Sequence, residues 1–239
     1  SGAQALRRRL DVVANNMANV STVGFKREQP VFHDLVKAVP GDVPGEARTV
    51  SFVLDYGAVH DTRDGAFEAT GNTLDVAIQG AGYLSVALPD GATAYTRAGN
   101  LKLLPNGQLG TAAGFPILGD NGAPITVPTG SETKLTIAGD GTVSGPEGPL
   151  GRIGVTVFQD EAAMSQRGDG LFNGSGGRVL AAAETTLKSG GLESSNVQPV
   201  VETTHMVDIL RSYQSSERMA DGLNDMRKRA IERLGRLGN

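Results

Sequence analysis

Apolar positions at the start of the chain fall at Ala3, Leu6, Leu10, Val13, Met17 and Val20, in alternating steps of three and four. That spacing predicts a helix with one narrow stripe, the seam of a coiled coil, with Arg7, Arg8 and Arg9 largely off it as a solvated face. An isolated helix of this length is marginal in water and calls for a partner. The same rhythm returns at the far end, through Met206, Ile209, Tyr213, Ser216, Ala220, Leu223, Arg227, Ala230, Leu234 and Leu237, with only Ser216 and Arg227 polar. Pro199 suits the first turn of this second helix. At about 1.5 Å per residue, 200–237 extends on the order of 55 Å, longer than a β-domain of this size can bury.

Between the ends the period changes to two. LDVAIQ, GYLSVAL, AYTRAG, LKLLP, GQLGT, FPILG, PITVP, KLTIAG, GTVSG and IGVTVF follow one another through 74–180. They are separated by Pro89-Asp90-Gly91, Pro105-Asn106-Gly107, Asp120-Asn121-Gly122 and Asp140-Gly141, which supply the positive φ of tight hairpins. Strand-turn units at this spacing predict an antiparallel sandwich or barrel-like domain, interrupted by a short helical patch at 161–167. Residues 28–50 lose periodicity. Val31, Phe32 and Leu35 suggest one helical turn, PGDVPGE a loop, and Ser51-Phe52-Val53-Leu54 the first of several short alternating pieces before Thr70-Gly71-Asn72.

The expected fold class is therefore α+β: N- and C-terminal helices pairing as a coiled-coil stem, with an inserted antiparallel all-β domain. The stem takes 1–35 and 192–239, an extended connector with short strands takes 36–73, and the β-rich outer domain takes 74–191. Two short seams leave helix faces uncovered, so neighbouring copies of the chain are the expected cover.

Composition narrows the picture. Thirty-three glycines, eleven prolines, seven Phe, four Tyr and no Trp favour tight turns over a dense aromatic core. With no cysteine there is no disulfide framework, thiolate metal site or Cys nucleophile. The net charge of -4 is uneven: 36–204 holds ten basic and eighteen acidic groups, and both ends are mildly basic. A weakly acidic chain without a basic, aromatic-interleaved face argues against nucleic-acid binding. No run approaches the roughly 18–20 apolar residues of a membrane span. The chain begins at Ser1 without Met, so a few preceding residues are expected.

The stretch VVANNMANVSTVGFKR (12–27) stands apart. Asn15, Asn16 and Asn19 are poor in helix interiors and good at caps and turns. With Ser21-Thr22 and Gly24-Phe25 they predict a helix end running into an irregular connector that closes on an exposed Lys26-Arg27 pair. This pattern resembles the N-terminal signature of bacterial flagellar axial proteins, the rod and hook family. GNTLDVAIQGAGYLSV (71–86) looks like that family's approach to its β-domain, YTRAGNLKLLPNGQLGTAAGFPILG (95–119) resembles the repeat that follows, and SGGLESSNVQPVVETTHMVDILRSYQ (189–214) its C-terminal signature. Length and DYGAVHDTRDGAFEATGN (55–72) look most like a proximal-rod member, with a distal-rod member as the alternative.

The resemblance implies a structural role. Such proteins pass unfolded through the flagellar export apparatus, without a cleaved signal peptide, and polymerise in the periplasm. There they form part of the hollow shaft that carries torque. The implied partners are other proximal and distal rod subunits and copies of the chain itself, with no nucleic acid, no direct membrane insertion and no cofactor. The implied assembly interface is Leu6, Leu10, Val13, Asn15, Asn16, Met17, Asn19, Gly24, Phe25, Met206, Ile209, Tyr213, Ala220, Leu223 and Leu234.

Enzyme readings find little support. His33, His60 and His205 lie far apart without metal-ligand spacing. Gly80-Ala81-Gly82 lacks the third glycine of a dinucleotide fingerprint, no phosphate-loop Gly-Lys-Ser/Thr occurs, and no Ser sits in G-x-S-x-G. Asp120 and Asp140 do not fill a calcium loop. Arg167-Gly168-Asp169 is read as a turn, and a β-rich adhesin or binding module would leave both heptad ends unexplained.

Overall fold

The computed structural model describes residues 2–40, 47–128, 134–161 and 164–236. Both terminal helices form: α1 spans Gly2–Ala18 and α2 spans Pro199–Arg236, 38 residues. Helix α1 runs through Asn15 and Asn16 and stops just before Asn19. The Thr22 N–H donates to the Asn19 carbonyl and the Thr22 hydroxyl to Asn19 Oδ1, both at 3.1 Å, so a local turn replaces the next helical one. Helix α2 opens on Pro199, whose missing N–H would have had no helical partner, and carries Glu202 in its first turn, where the helix dipole favours a carboxylate.

In chain order the strands are β1 (Glu28–Pro40), β2 (Ala47–His60), β3 (Phe67–Ala69), β4 (Val76–Ile78), β5 (Tyr83–Ala87), β6 (Thr93–Thr96), β7 (Leu101–Leu103) and β8 (Leu109–Thr111). Then follow β9 (Thr136–Ile137), β10 (Thr142–Gly145), β11 (Gly148–Arg152), β12 (Val155–Val157), β13 (Ser165–Arg167), β14 (Leu171–Asn173), β15 (Arg178–Val179), β16 (Leu187–Ser189) and β17 (Gly191–Glu193). The chain divides into two compact units. One comprises Ser1–Met17, Pro30–Ala58 and Gln198–Asn239, the other Ala18–Gln29 and Val59–Val197. Residues 18–29, expected within a stem, and 59–73, expected as connector, both fall in the second unit.

In the first unit α1 and α2 meet where Asn16 Nδ2 donates to Glu202 Oε2 at 3.4 Å. Val12, Val13 and Ile209 are buried here too. The expected helical turn at Val31, Phe32 and Leu35 is replaced by β1, which pairs with β2 in a two-stranded ribbon. The apolar spacing suited a helix, but strand pairing with the β-branched run of β2 decides the conformation. The PGDVPGE loop falls mostly at 41–46, outside the described residues.

The second unit holds a six-stranded sheet in the order β13-β14-β6-β5-β12-β15, a three-stranded sheet β11-β10-β9, and the pairs β16-β4, β17-β3 and β7-β8. All the pairings with a described register are antiparallel. Eight of the ten alternating runs contain strands; FPILG and PITVP make only single bridges, such as Val86 with Ile117 and Leu118 with Pro124. Prolines in both remove ladder donors. The helical patch expected at 161–167 is corrected: 162–163 lie outside the described residues and Ser165–Arg167 is β13, paired with β14.

The core is aliphatic. Leu84, Val86, Leu109, Ile117, Val143 and Ile153 are completely buried in one cluster, each such side chain contributing roughly 1.5–3 kcal/mol relative to exposure. Beside it Tyr83, Met164 and Phe172 form a small second cluster with Tyr95 and Phe158. Its rings meet edge to face, Tyr83 to Phe172 at 5.4 Å and Tyr95 to Phe158 at 4.7 Å.

Candidate functional site

The chain crosses between the two units at 17/18, 29/30, 58/59 and 197/198. Within the β unit, the segments next to these crossings are stitched to one another. The Gly24 N–H donates to the Glu193 carbonyl (2.8 Å), the Asp61 N–H to the Arg27 carbonyl (2.8 Å), and the Asn196 N–H to the Phe25 carbonyl (3.3 Å). Asn196 adds a three-way bridge: its Oδ1 accepts from the Arg27 N–H at 2.7 Å, and its Nδ2 donates to the Asp61 and Arg63 carbonyls at 2.9 Å each.

Under this seam lies a buried ionic cluster. Lys26, read from sequence as half of an exposed basic pair, has 0% of its surface exposed. Its ammonium donates to Glu193 Oε1 at 2.7 Å and to the Arg63 carbonyl at 2.9 Å. Glu193 Oε1 also accepts from the Gly65 N–H (2.9 Å), and Oε2 accepts from Arg97 Nη1 (3.1 Å). Arg97 Nη2 donates to the Gly80 carbonyl at 2.7 Å, and the guanidinium stands 5.2 Å from the Tyr83 ring centroid. Half-exposed Asp64 lies 3.8 Å from Lys26 Nζ and 3.6 Å from Arg97 Nη1. Two cations thus share two carboxylates.

Backbone fit brings the groups this close. Gly24 has φ 67°, and a Cβ there would stand 2.4 Å from the Arg97 carbonyl carbon. At Gly65 a Cβ would meet the Ser194 carbonyl oxygen at 1.8 Å. The electrostatics follow from burial. Desolvation, then the charge of Arg97, hold the Lys26 ammonium below its usual range, with Glu193 opposing. Desolvation also raises the nearby Glu161 carboxyl and pushes the Tyr83 phenol up to about 12.

The predicted interface residues divide. Val13, Asn16, Gly24, Phe25 and Ile209 are buried; Leu6, Leu10, Asn15, Met17, Asn19 and Met206 are half-buried; Tyr213 is exposed. Asn16 is buried on Glu202 in the first unit, whereas Gly24 and Phe25 seat the connector in the second. Ala220, Leu223 and Leu234 lie in α2 with side chains outside the described residues. Every described side chain from 210 to 229 is exposed, Met219 at 67% and Met226 at 61%. These two methionines fall off the seam read from sequence. Lys26 as a buried group, and Arg97, Glu193 and Asn196 as members of this site, were missed by sequence reasoning. Each nevertheless sits inside a quoted stretch: Lys26 in 12–27, Arg63 and Asp64 in 55–72, Gly80 in 71–86, Arg97 in 95–119, and Glu193 and Asn196 in 189–214.

His60 is buried edge-on to Phe172 at 5.1 Å, and burial lowers its pKa. His205 is half-buried in α2, and the His33 side chain lies outside the described residues. Among the described residues no group of His, Cys, Asp and Glu could hold a metal, and no helix is long and apolar enough to cross a membrane. Arg167 ends β13, and the expected turn follows it at 168–170, Asp169 with φ 65°. A groove of about 600 Å³ beside the ionic cluster is lined by Arg63, Asp64, Asp160 and Glu161.

Comparison with known proteins agrees with the quoted stretches. Residues 1–26 match the family described as "Flagella basal body rod protein", 77–145 the "Flagellar hook protein FlgE/F/G D1 domain", and 188–233 the "Flagellar basal body rod FlgEFG protein C-terminal". The chain is 36% identical to the flagellar basal-body rod protein FlgF of Caulobacter vibrioides, covering 99% of this chain and 96% of that one. It is 37% identical to FlgF of Salmonella typhimurium over 93% and 91%, and 36% identical to FlgG of Bacillus subtilis over 92% and 90%.

Proposed function

Since the chain belongs to the flagellar basal-body rod protein family, as a rod subunit of FlgF or FlgG type, we propose that it is the proximal, FlgF-type subunit. It polymerises through its terminal helices into the hollow shaft that transmits torque. Two relatives from one organism favour FlgF over FlgG: identity to Caulobacter vibrioides FlgF is 36% over 99% of this chain, against 32% over 95% for its FlgG. The partners on this reading are copies of the chain and neighbouring proximal and distal rod subunits in the periplasm. The export apparatus delivers it without a cleaved signal peptide. The helices would pair in a coiled-coil stem, and the β-domain would face outward.

The observation that carries this reading is α2. Glu202 and Ile209 are buried in its first turns, but Leu210, Tyr213, Met219 and Met226 present apolar surface to solvent over the next turns. A long helix with uncovered apolar positions is built for cover by another chain. Met219→Asp should be exported yet fail to enter isolated basal bodies, because assembly would bury an unpaired carboxylate. Arg218→Ala should incorporate almost normally. Equal incorporation of both variants, measured by fractionating basal bodies, would overturn the helix-mediated assembly.

A further inference from the structure

The ionic cluster is more than a buried charge pair, because its members come from opposite ends of the chain. Lys26 lies 167 residues from Glu193, and Arg97 lies 96 from it. The two cations approach one buried spot from different elements, Lys26 on the 18–29 connector and Arg97 just beyond β6. Each contacts a different oxygen of the same carboxylate. Take that carboxylate away and the remaining anion between them is Asp64, which is half-exposed and stands more than 3.5 Å from either cation. An ammonium and a guanidinium in a desolvated site then repel strongly, since water no longer screens them.

Glu193 is the last residue of β17, which is held to β3 by a ladder of three residue pairs. The same stretch supplies the Glu193 carbonyl for Gly24 and the Asn196 side chain for Arg27. The contacts that seat the connector therefore come largely from a segment near the chain's far end, attached through β17 by a ladder of only three residue pairs.

The geometry points to a conditional latch: Lys26 and Arg97 can occupy one site only while Glu193 stands between them, so the connector stays seated on the β unit only when β17 is docked. Until 191–196 is in place, Lys26 is repelled from its own socket and the connector is open. The latch makes seating of the N-terminal connector the last step in forming this unit, and gives it a defined release point. It rests on contacts within the β unit alone and stands whether or not the rod reading does.

The test is amide hydrogen exchange on the full-length chain. Glu193→Gln keeps the shape and removes the charge. It should speed exchange of the Gly24 and Arg27 amides by about tenfold or more, while the Leu84 and Thr96 amides in β5 and β6 keep wild-type protection. The decisive variant is the double one, Lys26→Met with Glu193→Gln. If repulsion opens the latch, removing one cation restores protection at Gly24. If Glu193 matters only as a packing and hydrogen-bonding group, the second substitution leaves exchange as fast as in the single variant or faster. Wild-type exchange in Glu193→Gln, or no recovery in the double variant, overturns the proposal. Should Glu193→Gln lose the fold altogether, recovery of a folded double variant supports the latch, and an unfolded double variant overturns it.

Discussion

The β unit and helix α2 solve the problem of apolar surface in opposite ways. The β unit closes on itself: its aliphatic core is completely buried at Leu84, Leu109 and Ile153, and its buried charges find partners a few ångströms away. Helix α2 leaves its apolar residues open, with every described side chain from 210 to 229 exposed. One region holds its stability within the chain. The other leaves apolar surface uncovered, as the proposed assembly requires. Substitutions in the first should therefore be read out in folding, and substitutions in the second in assembly.

The largest expected effect is in the core. Leu84→Ala should destabilise the β unit by about 3–5 kcal/mol, through lost transfer energy and an unfilled cavity. Chemical denaturation followed by tyrosine fluorescence reads this directly, and a loss under 1 kcal/mol would mean that the site collapses freely. Next comes Gly24→Ala, which puts a side chain on a left-handed residue and against the Arg97 backbone. We expect a cost of about 2–4 kcal/mol, spread between local opening and global unfolding. A variant as stable as the parent would show that the connector can shift off Arg97.

A smaller effect depends on pH. Burial holds the His60 imidazole below its ordinary 6.5 in the folded protein. The unfolded chain then binds a proton more readily as pH falls. The stability His60 contributes is present above 6.5 and is lost as pH drops toward the folded value, by at most about 1.4 kcal/mol per pH unit. Denaturation midpoints compared at about pH 7.5 and 5.5 should fall less in His60→Phe than in the parent. Equal slopes would remove His60 as the source. Smallest of all in folding is Met219→Asp, which should change monomer stability by no more than about 0.5 kcal/mol. A large loss there would show that this part of α2 is already covered within the chain.

Much of the architecture was legible in local pattern. The three-four spacing of Leu6, Leu10, Val13 and Met17 predicted α1, and the alternation of Tyr83 to Ala87 and Val155 to Val157 predicted β5 and β12. Gly91 and Gly107 sit at positive φ in the turns where Asp-Gly and Asn-Gly had placed them. These succeed because side-chain periodicity and turn stereochemistry are properties of a few consecutive residues. β1 was missed because EQPVFHDLVKAVP keeps no sustained period, its Val31, Phe32 and Leu35 suggesting a helical turn, and only its pairing with β2 makes it a strand.

The ionic cluster shows the other limit. By itself the sequence determined two terminal helices, a turn-rich β insert and an Asn-rich connector ending in Lys26-Arg27. It set Lys26 beside Arg27 as an apparently solvated pair, since burying a lysine is costly and nothing nearby in the chain offsets that cost. Only the tertiary structure decided that Lys26 is buried and Arg27 is not. The offsetting charge, Glu193, lies 167 residues away, and it reaches Lys26 because β17 pairs with β3. Desolvation depends on what surrounds a group in space, and that neighbourhood exists only once the far ends of the chain have been brought together.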